Sequence, residues 1–100
     1  MTTGLTEAAP AFAWKSYGRF VELYPVRTGW LVLWGQYEDL GRRKRLAGSR
    51  VYRDLPGARR RIADAAMELT QRAALADEAM ILFNRTSLPD HQAETIPAPL

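Results

Sequence analysis

Nine cations, Arg42, Arg43, Lys44, Arg45, Arg50, Arg53, Arg59, Arg60 and Arg61, fall within one fifth of this 100-residue chain, opposed in that stretch by Asp54 alone. The other 80 residues hold five basic and ten acidic side chains, so a net charge of +3 conceals a strongly polarised sequence. Twelve of the 14 basic residues are arginine. A guanidinium presents a planar fork that matches phosphate or carboxylate in two places and stacks on flat rings, so the segment has the chemistry of an anion-binding surface. The bland reading of such a run is a solvated charged face. Placement argues for more. Arg59, Arg60 and Arg61 sit where a helix is expected to start, and cations there oppose the helix dipole at a cost of a few tenths of a kcal/mol each. A local rule broken without local gain is characteristic of a functional surface.

The remaining chemistry-bearing residues do not assemble a catalytic set. His91 is the sole histidine and lies in a Pro-containing tail, and cysteine is absent. Thiol catalysis and thiolate metal sites are therefore excluded, and zinc has no ligand set, so neither a metal nor a cofactor is expected. Ser16, Ser49 and Ser87 have no histidine base in prospect. Glu38–Asp39 and Asp77–Glu78 are adjacent pairs. Neighbours on a strand point to opposite faces and on a helix diverge by about 100°, so neither pair is a dyad. The seven glycines form no phosphate-binding loop. The expectation is a protein without enzymatic activity.

Apolar residues make up 47% of the chain, enough for one modest core. No run of about 18 apolar residues marks a membrane span. The first 13 residues show neither a basic region followed by an apolar stretch nor another secretory signature, and with the lack of cysteine this leads to an expected cytoplasmic location.

Three segments read as strands. Arg19–Val26 is rich in aromatic and β-branched residues and ends at or near Pro25. Trp30–Tyr37 alternates Trp30, Val32, Trp34 with Leu31 and Leu33. Arg42–Tyr52 follows the turn signal Asp39-Leu40-Gly41, with Gly48 marking a bulge or break. Asp54 is placed to cap a helix whose stripe is Ala58, Ile62, Ala65, Ala66, Leu69 and Ala73, with Glu68 and Arg72 paired on its outer face. Beyond Ala76 two readings remain, a short buried strand over Met80–Phe83 or continuation as one long helix, and typical helix lengths favour the strand. The fold class is thus α+β: a three-stranded antiparallel sheet packed on one amphipathic helix with a fourth short strand (β-β-β-α-β), the alternative being β-β-β followed by one long helix. Residues 1–16 read as an N-terminal arm whose aromatics dock on the domain, 17–87 as a single domain, and 88–100 as a flexible C-terminal tail.

Trp30-x-Val32-x-Trp34, Gly41-Arg42-Arg43-Lys44-Arg45, Tyr52 and Ala58 in an amphipathic helix together resemble the arm-type DNA-binding domain at the N-terminus of tyrosine integrases. The resemblance covers residues 29–72. It implies a sheet whose open face is laid in the DNA major groove, with Arg42, Arg43, Lys44 and Arg45 on phosphates, Arg50 or Arg53 reaching bases, and Arg59, Arg60 and Arg61 on the backbone beside the groove. The expected function is contact with nucleic acid through these nine residues. The alternative is a protein-interaction module that covers an acidic partner or pairs with itself through a sheet edge.

Overall fold

A computed structural model describes residues 9–88 of the chain. Phe12–Ser16 (β1), Arg19–Val26 (β2), Gly29–Glu38 (β3) and Arg43–Tyr52 (β4) are followed by helices Leu55–Thr70 (α1) and Ala73–Arg85 (α2). The strands pair in chain order, all antiparallel, as a four-stranded meander. This is an α+β architecture with both helices on one face of the sheet.

Strict alternation sorts the side chains. Phe12, Trp14, Val21, Leu23, Trp30 and Val32 point to the helices and are buried. They meet Ala58, Ile62, Ala65 and Ala66 of α1, four of the six residues of the expected stripe, and Ala79 and Phe83 of α2, while Leu69 is half-buried and Ala73 falls in α2 and is exposed. The small alanines let α1 lie close over β2, β3 and β4, while α2 covers β1. Asp54 caps α1 as expected, its carboxylate accepting from the Gly57 N–H at 3.0 Å.

The fourth strand is at the other end of the chain from where the sequence suggested it. The segment read as an arm supplies β1, with Phe12 and Trp14 in the core and Phe12 edge-on to Phe83 at 5.2 Å between ring centres. Residues 1–8 and 89–100, which carry the rest of the expected arm and nearly all of the expected tail, lie outside the described residues. Met80–Phe83 is helical rather than a strand, and the helix is not continuous either. Gln71 adopts a left-handed conformation (φ 56°) and donates its N–H to the Met67 carbonyl at 2.6 Å, closing α1 before α2 begins. The Thr70 hydroxyl donates to the Ala66 carbonyl and accepts from the Arg72 N–H. The break therefore needs neither Gly nor Pro, and it turns α2 so that Phe83 reaches β1. Arg72 is thrown out of α1, and Glu68 pairs with Arg61 at 2.7 Å instead.

Pro25 stays within β2, opposite Trp30. Pairing between β1 and β2 ends at Phe12–Leu23, so Pro25 lies where β2 has no neighbour on its β1 side and its missing N–H leaves no bond unmade. No helix among the described residues is long and apolar enough to cross a membrane.

The face of the sheet turned away from the helices is occupied rather than bare. Phe20 lies under Lys44, whose Nζ is 5.1 Å from the ring centre, and beside Tyr37. Glu22 is only 6% exposed, and it accepts from the Tyr24 hydroxyl at 2.9 Å and pairs with Lys44. Burial, then the hydrogen bond and charge of Glu22, with a smaller contribution from Tyr37, push the Tyr24 phenol from its ordinary 10.0 up to about 12. A raised folded-state pKa means that the phenol's contribution to stability is complete below pH 10 and is lost as pH rises toward 12. In Glu22→Gln the phenolate absorbance is expected to appear at lower pH than in the parent, because the carboxylate charge is gone and burial alone remains large. An unshifted phenol in that variant would remove Glu22 as a cause.

Candidate nucleic-acid interface

The fate of each predicted cation is decided by a bulge in β4. Trp34 faces Gly48 and Gly35 faces Leu46, so Ala47 is the extra residue. Below it, Gly48, Arg50 and Tyr52 share the side of the sheet that carries α1. Above it, the bulge reverses the alternation. Arg43 and Arg45, opposite Glu38 and Gln36, come to the α1 side, while Lys44, opposite Tyr37, is sent to the other face. Two glycines permit this. A Cβ on Gly35 would run into the Arg45 carbonyl oxygen and lie 2.9 Å from Leu46 Cα, and a Cβ on Gly48 would enter the Trp34 ring, 2.7 Å from Cε2. Only bare backbone fits at either position.

Three of the nine cations are committed within the fold. Lys44 is held by Glu22 on the far face. Arg45 pairs with Glu38 at 3.1 Å. Arg61 lies 4.5 Å above the Trp34 ring centre with its guanidinium on Glu68, and its side chain is 18% exposed. Arg61 therefore roofs Trp34 and acts in packing as much as in charge.

The other six, Arg42, Arg43, Arg50, Arg53, Arg59 and Arg60, are exposed and have no carboxylate partner among the described residues. Arg50 stacks on Tyr52, 5.5 Å from its ring centre. Arg59 makes a long bond of 3.4 Å to the Asn84 side chain. Arg50 and Tyr52 of β4 and Pro56, Gly57, Arg60, Arg61 and Asp64 of α1 enclose a groove of about 420 Å³, in which Asp64 is the one carboxylate. A second groove of about 540 Å³ lies on the other flank of Arg60, between Leu55, Pro56, Arg59 and Ala63. Arg60 is thus a post between two channels at the positive end of α1, whose first turn contains no acid.

Two groups follow from this geometry. Arg50, Arg53, Arg59 and Arg60 gather where β4 runs into α1. Arg42 and Arg43 stand at the β3–β4 turn, seven residues up the strand from Arg50, or roughly 20 Å at strand rise. Since Arg43 and Arg50 share a side, the two groups form one margin along β4 and α1 rather than two unrelated patches. The sequence alone could count the arginines, but the ion-pair partners Glu22, Glu38 and Glu68 give no local signal of which cations they will claim.

The fold and this margin define a small α+β protein, a sheet backed by two helices with an arginine-lined border. Comparison of the chain with family models, with curated proteins and with solved structures finds no match.

Proposed function

We propose that this is a non-enzymatic nucleic-acid-binding protein that lays a phosphate backbone along the β4–α1 margin. One observation carries the reading: six exposed arginines without carboxylate partners among the described residues line one border of the fold, four of them at the positive end of α1. Guanidinium groups without carboxylate partners on one border repel each other, whereas an anion running along them relieves that repulsion. Tyr52, stacked beneath Arg50, adds a flat surface of the kind on which a base or sugar edge can rest.

The resemblance of residues 29–72 to the integrase arm-type domain supports the same class of ligand and suggests a different contact face. In that family the open face of the sheet meets DNA. Here that face is filled by Phe20, Glu22, Lys44, Leu31 and Leu33, while Arg50 lies on the α1 side. The margin is the better candidate.

The test is the salt dependence of binding to a labelled duplex and to a labelled single strand, followed by anisotropy. With about five phosphate contacts, the logarithm of the affinity should fall with the logarithm of salt at a slope near −4.5, or several hundred-fold between about 50 and 200 mM. Failure to bind either strand form at low salt would overturn the reading.

The outer edge of β4 favours a second reading. That strand has ten residues and, among the described residues, no neighbour on its outer side, with Leu46 and Val51 exposed. Antiparallel pairing of two β4 edges about their midpoint would set Arg45 against Arg50 in both copies, which disfavours a homodimer there. An acidic extended segment is the partner chemistry that edge would accept. Capture from lysate that survives nuclease treatment distinguishes it from nucleic acid.

A further inference from the structure

Two large exposed side chains are held in backbone conformations that such residues avoid, and both sit at the same end of the sheet. Leu40, at the β3–β4 tip, has φ 56° and is 97% exposed. Tyr17, at the β1–β2 tip, has φ 50° and is 74% exposed. Left-handed backbone costs a non-glycine residue of order 1 kcal/mol, and an exposed leucine recovers nothing by burial. Asp39 (φ 58°) and Gly41 (φ 87°) are left-handed as well, so the turn holds three such residues in a row, with leucine at the middle one. The turn is well formed: the Gly41 N–H donates to the Glu38 carbonyl and the Arg42 N–H to the Asp39 carbonyl, both at 3.1 Å. The Tyr17 turn is likewise braced, with Arg19 donating to the Tyr17 carbonyl at 3.0 Å and Tyr37 donating its N–H to the Gly18 carbonyl. The two tips lie about two strand spacings apart, roughly 10 Å.

Around Leu40 stand Arg42 and Arg43, both exposed, and one opposing carboxylate, Asp39, while Glu38 is taken up by Arg45. An apolar apex on a two-stranded ribbon, flanked by unpaired arginines, has the chemistry of a wedge. Arginines on the ribbon hold the phosphates of a narrow groove, and the apolar tip enters between base pairs. Leu40 is 97% exposed, so nearly its whole side chain is available for that insertion.

We infer that the protein's ligand is duplex DNA and that Leu40 inserts at a base step in the minor groove, unstacking it and bending the helix, with Tyr17 packed against the adjoining sugar-phosphate edge. The inference rests on the nucleic-acid reading of the β4–α1 margin, which begins at Arg43 beside this tip. Bending brings more of the backbone onto that margin than a straight duplex could offer.

The experiment uses the full chain and a duplex of about 30 base pairs with a fluorescent donor and acceptor at its ends. Saturating wild-type protein should shorten the end-to-end distance, corresponding to a bend of roughly 20–90°. In Leu40→Gly the salt slope should stay unchanged and affinity should fall no more than about tenfold, whereas the bend should disappear. That variant should melt no lower than the parent, since glycine accepts the positive φ freely, so loss of the bend cannot be laid to misfolding. A duplex bound without shortening, or bent equally by Leu40→Gly, overturns the wedge while leaving the binding margin standing. A duplex left unbound while a single strand is bound overturns the wedge alone, and binding to neither overturns both. Dependence on Leu40 seen only in capture of an acidic protein after nuclease treatment also overturns it.

Discussion

Replacing Arg43, Arg50 and Arg60 together by alanine is expected to weaken nucleic-acid binding on the order of 1,000-fold at about 0.1 M salt and to remove close to 3 from the salt slope. These three are chosen by geometry. Each is exposed, none has a carboxylate partner among the described residues, and all lie on the α1 side of the molecule. Removing a cation that neutralises a phosphate forfeits both the charge-assisted contact and one released counterion, and the contact alone is worth about a factor of ten. A second triple variant, Lys15→Ala/Lys44→Ala/Arg72→Ala, changes net charge equally and isolates the effect. Lys44 is neutralised by Glu22 on the opposite face, Lys15 lies over Tyr37 on that same face, and Arg72 stands beyond the far end of α1. It should lose affinity only through the general field, well under tenfold at the same salt. Equal losses in the two triples would mean that net charge, and not the margin, holds the ligand. The parent and the margin triple should melt within a few degrees of each other, because exposed arginines contribute little to stability, whereas the control should melt lower, since Lys44→Ala leaves the Glu22 carboxylate buried without its cation.

Gly35→Ala should cost roughly 3 kcal/mol of stability and lower the melting temperature by about 10–20 °C. The atoms that a methyl group at Gly35 would meet, the Arg45 carbonyl oxygen, Leu46 Cα at 2.9 Å and Ala47 N at 3.0 Å, are all backbone. A flexible side chain could swing aside, but a paired strand cannot. Relief requires β4 to draw away from β3 above the bulge, which breaks the pairs Gln36–Arg45 through Glu38–Arg43. The functional consequence is separate from the loss of stability. Once the bulge is lost, Arg43 and Arg45 are no longer held on the α1 side. At a temperature where the variant is still folded, its salt slope should therefore be shallower than the parent's by about 1. A Gly35→Ala protein that melts within a few degrees of the parent would show that β4 is not clamped as described.

Much of the fold is legible along the chain. Alternation in Arg19–Val26 and Trp30–Tyr37, the turn at Asp39-Leu40-Gly41, the Asp54 cap and the alanine-rich stripe of α1 are local patterns with local causes, and each element is found where those patterns place it. Phe12–Ser16 escaped because five residues ending a small polar stretch carry too few alternations to read as a strand, although Phe12 and Trp14 at i and i+2 were the available sign. The second helix escaped because a 30-residue apolar periodicity without Gly or Pro fits a long helix or a helix and strand equally well. The left-handed Gln71 that divides it donates its N–H to the Met67 carbonyl, and the Thr70 hydroxyl accepts from the next N–H, that of Arg72, neither of which a propensity scale anticipates.

What the sequence determined by itself was the amount and kind of charge: nine cations in twenty residues, eight of them guanidinium, with little acid nearby. That follows from composition and needs no coordinates. Which of those cations remain available was decided by tertiary structure alone. The inserted Ala47 reverses the alternation of one half of β4, so a shift of one residue decides whether Arg43 or Lys44 joins the α1 margin. Glu22, Glu38 and Glu68, from three different elements, then claim Lys44, Arg45 and Arg61. Register and long-range pairing depend on how strands meet in space, and adjacent residues that look alike in sequence are separated there onto opposite faces.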